Sequence, residues 1–163
     1  MPRLSTPGCS ICVACPSRGD YARWVTRQHP YILDDQVGYL LRRVQQRHLS
    51  LFSAAIPQVT TTQWAVLARL HEMGPLSQNH LGRETAMDAA TIKGVVDRLI
   101  RLNLVSTAPD PDDRRRLTVS LTESGRVLFE GTWQMALTVS DATLKPLSPE
   151  ERETLMALLL RLT

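Results

Sequence analysis

Apolar residues recur along this chain with a helical period, switch briefly to a period of two, and then return to the helical period. From Asp34 onward Val37, Leu40, Leu41, Val44, Leu51, Phe52 and Ala55 share one helical face, with His48 set among them. Pro57 ends this first long helix. Thr60 followed by Gln63 is a capping-box signature and opens a second helix through Trp64, Leu67, Ala68 and His71, which Gly74-Pro75 stops. Ser77 caps a short helix anchored by Leu81, Ala86-Met87 turns, and Asp88 caps the next helix. There Ile92, Val95, Val96, Leu99 and Ile100 form an inward stripe, opposite Ala90, Thr91, Lys93, Gly94, Asp97, Arg98 and Arg101. Asn103 suits the C-terminal turn because asparagine tolerates positive φ.

The period of two appears in Leu104–Thr107 and Leu117–Leu121, which predict a hairpin around the polar tip Ala108–Arg116. Thr122 caps another long helix carrying Trp133 and Met135 towards Leu144. After Pro146, Ser148-Pro149-Glu150-Glu151 restarts a helix with an N-cap, proline at the first position and a capping-box glutamate. Leu155, Leu158, Leu159 and Leu162 give that last helix its apolar face. The fold class expected is mainly α with a small β-hairpin wing: a winged helix-turn-helix plus a helical dimerisation region. The divisions are an N-terminal extension over 1–33, a dimerisation helix over 34–58, the winged domain over 59–122 and C-terminal dimerisation helices over 123–163. Within the extension, Tyr21–Gln28 predicts a short helix ending before Pro30.

Composition narrows the partners. At 163 residues and 43% hydrophobic content the chain can bury one sizeable core. A net charge of +3 permits nucleic acid without requiring it. Placement says more: Arg114-Arg115-Arg116 sits between two strands, where a solvated basic tail is not expected. The longest strongly apolar run, Leu155–Leu160, falls far short of the roughly 20 residues that span a bilayer, so no membrane partner and a cytoplasmic location are expected. No HExxH, P-loop, G-x-S-x-G or dinucleotide fingerprint is present, so an enzyme is not expected, nor a cofactor.

A short helix, a turn and a second amphipathic helix suit the major groove, where base edges show a distinct donor–acceptor code. Ser77, Gln78, Asn79, Ala90, Thr91, Lys93 and Arg98 are the candidate contacts from these helices. Arg114, Arg115 and Arg116 are those of the hairpin, since arginine is favoured in a narrow minor groove.

These residues resemble the MarR family of bacterial transcription regulators. The resemblance rests on Leu81-Gly82-Arg83, on Ala90-Thr91-Ile92-Lys93-Gly94-Val95-Val96-Asp97-Arg98-Leu99, and on Asp113-Arg114-Arg115 followed by Leu121-Thr122-Glu123-Ser124-Gly125. It implies a homodimer whose first and last helices intertwine and whose two winged domains grip a pseudo-palindrome in double-stranded DNA. It also implies that Asp113 braces the wing while Arg115 enters the minor groove. Asn103 departs from the glycine usual at that place, and Ala89 and Gly94 stand where many members carry larger polar residues, which shifts weight to Thr91 and Lys93.

Many members of that family release DNA when a small aromatic acid binds between the dimer helices and the winged domain. His48, Trp64, His71 and Arg43 are the candidate effector contacts, with His80 a further one; the alternative for each is ordinary packing. The stretches Gln36–Arg43 and Met87–Val96 resemble members controlling breakdown of hydroxylated pyridine carboxylates such as nicotinate. Cys9, Cys12 and Cys15 have metal-like spacing, yet no histidine follows until His29 to complete a closed zinc site. A thiol switch and a tail without chemistry are the other readings of the three cysteines.

Overall fold

A computed structural model describes residues 31–109 and 117–163. Among them the chain forms α1 (Val37–Ala55), α2 (Thr61–Met73), β1 (Leu76–Ser77), α3 (Gln78–Glu84), α4 (Ala89–Arg101), β2 (Val105–Pro109), β3 (Leu117–Leu121), α5 (Glu123–Leu144) and α6 (Pro149–Leu160). The fold is mostly helical with one three-stranded antiparallel sheet in the order β1-β3-β2. The segment Tyr21–Gln28 lies outside the described residues.

The caps read from sequence close the helix starts. Thr60 Oγ1 accepts from the Gln63 amide at 3.3 Å while Gln63 Oε1 accepts from the Thr60 amide at 2.8 Å, a reciprocal capping box. Ser148 and Glu151 repeat the arrangement at α6. Gly74, at φ 78°, ends α2. At the start of α1 the chain departs from the expected entry at Asp34: Leu33–Asp35 makes a single 3-10 turn, and extended backbone at Gln36 separates it from the helix.

Beyond α4, Asn103 takes φ 56°, as its side chain allows. The Leu104 amide donates to Leu99 O at 3.0 Å and the Asn103 amide to Ile100 O at 2.9 Å, a Schellman closure. The chain then enters β2, which pairs with β3 from Val105↔Leu121 to Pro109↔Leu117. The strand runs two residues further than Leu104–Thr107 predicts, into the expected tip. Pro109 is tolerated because β2 is an edge strand and needs no further ladder donor. β1 went unrecognised in the sequence: two residues are too few to show a period, yet Leu76 and Ser77 pair with Val119 and Thr118.

The core joins the end of α1 to the winged segment. Ile56, Val66, Leu67, Leu81, Ile92, Val95, Val96, Leu99, Val105 and Val119 are all fully buried. Ile100 is not part of the inward stripe; it is 40% exposed, on the flank of α4. Of the apolar face expected along α1 only Phe52 is buried, while Val37, Leu40, Leu41 and Val44 remain exposed. Trp133, Met135, Leu158 and Leu162 are likewise exposed in the single chain. These faces belong to α1, α5 and α6, which lie outside the winged core.

The start of α5 is set by contact rather than by propensity. Thr122 Oγ1 accepts from the Gly125 amide at 3.1 Å and donates to Asn103 O at 2.7 Å, and the Thr122 amide donates to Leu104 O at 3.1 Å. A Cβ at Gly125 would collide with the Leu104 carbonyl oxygen. Gly125→Ala is therefore expected to destabilise the fold by about 3 kcal/mol, the upper end of the usual overpacking cost, because a backbone oxygen cannot swing aside. Urea unfolding checks this; an unchanged midpoint would show that α5 does not depend on the close approach.

Candidate nucleic-acid interface

α3 and α4 form the helix-turn-helix. Gly82 is buried because a Cβ there would meet Met87 O at 3.0 Å and Ile92 Cγ2 at 3.3 Å, so the two helices cross closely. Ala86, at φ 51°, makes the sharp connection. The buried stripe of Ile92, Val95, Val96 and Leu99 then turns Ala90, Thr91, Lys93 and Arg98 to solvent.

The candidate contacts are not equivalent. Ser77 spends its acceptor on the α3 cap, receiving the His80 amide at 3.4 Å. Gln78 is half-buried and Asn79 exposed on the first turn of α3. The Thr91 amide donates to Asp88 Oδ1 at 2.7 Å, and its hydroxyl bonds the same carboxylate. Thr91 is thus engaged in the cap of α4, which reduces the weight the sequence placed on it. Lys93 and Arg98 have no ion-pair partner among the described residues. The hairpin carries Pro109 and Leu117 as its last described pair. Asp113, Arg114, Arg115 and Arg116 lie outside the described residues, as do Cys9, Cys12 and Cys15.

The effector candidates divide. His48, Trp64 and His71 join a continuous row of rings: His48 to Phe52 at 6.4 Å, Phe52 to Trp64 at 6.2 Å, Trp64 stacked on Phe129 at 4.8 Å, and Phe129 to His71 at 4.5 Å. The row ties α1, α2 and α5 together. His48 Nδ1 lies 2.9 Å from Thr143 Oγ1, whose proton goes to Val139 O at 2.8 Å. The direction of the bond between Nδ1 and Thr143 depends on the imidazole tautomer, and no described residue bonds Nε2. His71 Nε2 faces Glu130 at 3.7 Å.

Arg43 stands apart from the row, 3.7 Å from Asp34 and over the Tyr39 ring. His80 pairs with Glu84 on α3. Phe129 was not among the sequence candidates, because nothing local signals that it packs on a tryptophan sixty-five positions earlier. A groove of about 610 Å³ opens beside the row, lined by Leu49, Phe52, Ile56, Val59 and Gln63 among others. Among the described residues no cluster of histidine, cysteine and acid groups could hold a metal ion, and no helix is long and apolar enough to cross a membrane.

A tight helix pair with an exposed second helix, followed directly by a two-stranded hairpin, defines a winged helix-turn-helix DNA-binding protein. Residues 58–116 match the model of the MarR family. The transcriptional repressor NicR of Pseudomonas putida is 42% identical over 132 residues, which cover 80% of this chain and 84% of that protein. A probable transcriptional regulator from Pseudomonas aeruginosa superposes with a TM-score of 0.77 at 53% identity, over 81% of this chain and 100% of the other. Bordetella bronchiseptica BpsR, whose DNA binding is regulated by 6-hydroxynicotinic acid, superposes at 0.78 with 38% identity, over 82% of this chain and 97% of its own. The chain belongs to the MarR family. Its fold and its relatives are those of DNA-binding transcription regulators, not of enzymes.

The cap of the reading helix carries a pH dependence. Bonds from the Thr91 amide, then from its hydroxyl, hold the Asp88 carboxyl below the usual aspartate value. A lowered native value means that the charged form favours the folded cap: the contribution is present above the ordinary aspartate range and is lost as pH falls through the native value. A carboxyl NMR titration is expected to show Asp88 ionising at lower pH than in an unstructured peptide, with protection of the Thr91 amide fading over the same interval. Titration at the ordinary aspartate value would contradict the cap.

Proposed function

We propose that the protein is a homodimeric repressor that leaves a pseudo-palindromic operator when a small aromatic acid binds against the ring row of α1, α2 and α5. A hydroxylated pyridine carboxylate is the first candidate. The row itself carries the reading: it joins the helix preceding the winged core to the helix following it, offers aromatic faces, and ends in His48, whose Nε2 bonds no described residue. A ring wedged there bears on α2 and α5 together, and α2 packs directly on the winged core. The repressor NicR and the 6-hydroxynicotinic acid-regulated BpsR support the ligand class.

In this reading the exposed apolar faces of α1, α5 and α6 meet their equals in a second copy, since stripes of this size rarely stay open to water. α4 enters the major groove, and the wing reaches the minor groove with Arg115 while Asp113 braces it. Dimer symmetry then dictates the pseudo-palindrome.

The test is DNA release followed by fluorescence anisotropy, using a duplex enriched from a random library by the purified protein. 6-Hydroxynicotinate is expected to release the duplex, while acetate does not. His48→Ala and Trp64→Ala should each raise the concentration needed at least about tenfold, the effect of about 1.4 kcal/mol of lost contact, with DNA affinity retained. Insensitivity of the wild-type protein to every aromatic acid in a panel, or of the response to both substitutions, would remove the effector site. Arg115→Ala should weaken the duplex and lower its salt slope by at most about one, without changing the melting temperature. Unchanged affinity would count against the wing assignment.

A further inference from the structure

The outer face of the reading helix has an open lane along its middle. Ala90, Gly94 and Arg98 follow one another at single-turn intervals on α4, and the first two present almost nothing beyond the backbone. Helical side chains lean toward the N-terminus of their helix. Arg98 does so fully. A Cβ placed at Gly94 would stand 3.7 Å from its Nη1, 3.8 Å from its Nη2 and 4.0 Å from its Cζ, so the guanidinium lies over the glycine with its Nη edge nearest.

The group is also uncommitted. Arg43, Arg69 and Arg126 are each paired with an acid, whereas Arg98, like Arg101 on the same helix, makes no side-chain hydrogen bond or ion pair among the described residues. Its neighbours on α4 leave the central place to it. The Thr91 amide is bound to Asp88, Lys93 stands on the other flank as a compact point charge, and of the two arginines in the last turn, Arg98 and Arg101, Arg98 is the one that folds back over Gly94.

We propose that Arg98 reads a guanine in each half of the operator and that Gly94 is its positioning residue. The proposal rests on α4 entering the major groove, as set out above. Nη1 and Nη2, the two atoms spread over Gly94, are the donor pair that matches guanine O6 and N7. Gly94 serves twice. Without a side chain it lets the backbone approach the groove floor, and it keeps clear the lane along which Arg98 reaches toward the N-terminal half of the helix. The reading group at that place is then supplied from one turn further along.

The full-length protein is compared with Arg98→Ala, Arg98→Lys and Gly94→Gln on a duplex it has itself enriched from a random library. Each guanine of that duplex is replaced in turn by 7-deazaguanine, which removes only N7. Wild-type protein should lose roughly tenfold to a hundredfold at one guanine per half-site, the range of a good bidentate pair. Arg98→Ala and Arg98→Lys should both be indifferent to that replacement. Gly94→Gln should lower discrimination at the same guanine, and should add nothing in the Arg98→Ala background. Thermal melting confirms that each variant is folded; Arg98 is exposed, so its replacement leaves the core untouched.

Equal weakening of enriched and random duplexes by Arg98→Ala, with recovery in Arg98→Lys, would make Arg98 a phosphate contact and overturn the proposal. So would retention of the guanine preference by Arg98→Ala. Failure of the wild-type protein to enrich any duplex is a separate outcome that removes the DNA-binding placement of α4 along with it.

Discussion

The direction of every element around the reading helix depends on a two-residue stretch of backbone, Asn103-Leu104. Asparagine at positive φ turns the chain out of α4, and the Leu104 amide returns to Leu99 to close the helix. Both carbonyls of the stretch are then taken by Thr122, through its hydroxyl and its amide. Gly125 comes so close to Leu104 that no side chain fits between them. The end of α4, the start of β2, the end of β3 and the first turn of α5 therefore meet at one place. A wing that must lie beside a reading helix needs such an anchor, because a hairpin has no core of its own to set its angle.

That anchor also connects the DNA-facing part to the rest of the chain. Phe129 follows Gly125 by one turn of α5 and stacks on Trp64 of α2, while Thr143 at the far end of α5 receives His48 from α1. The same helix whose first turn is pinned beneath the wing thus holds the aromatic row. Packed interiors shift between discrete arrangements rather than deforming smoothly. In the proposed function, a ring inserted into the row bears on α2 and α5 together, and α2 packs on the winged core.

The burial pattern separates the molecule into two kinds of surface. Between Ile56 and Val119 most large apolar side chains are sealed from water, with Met73, Ile100, Leu102 and Leu117 left at the margin. Along α1, α5 and α6 the stripes that the sequence displays so clearly remain open in the single chain. Amphipathic periodicity reports that a face is to be covered and says nothing about whether the cover is the same chain or another. Val37, Leu40 and Leu41 have the same spacing as Ile92, Val95 and Val96, yet only the second group is buried.

What the sequence determined by itself is local. Thr60, Ser77, Asp88, Thr122 and Ser148 cap the helices they precede, and Asn103 closes α4, because each satisfies backbone groups within a few residues. The hairpin strands were legible for the same reason, and the motif from Leu121 to Gly125 marked the family before its physical cause was visible. Tertiary structure decided everything that needs distant partners: the two-residue strand β1 on β3, the exposure of Ile100, and the stacking of Phe129 on Trp64. It decided the roles on α4 as well. Thr91 turned out to hold its own helix cap, and Arg98 turned out to lie across Gly94. A pattern of residue types shows which side chains face outward; only the packed chain shows which of them are already occupied.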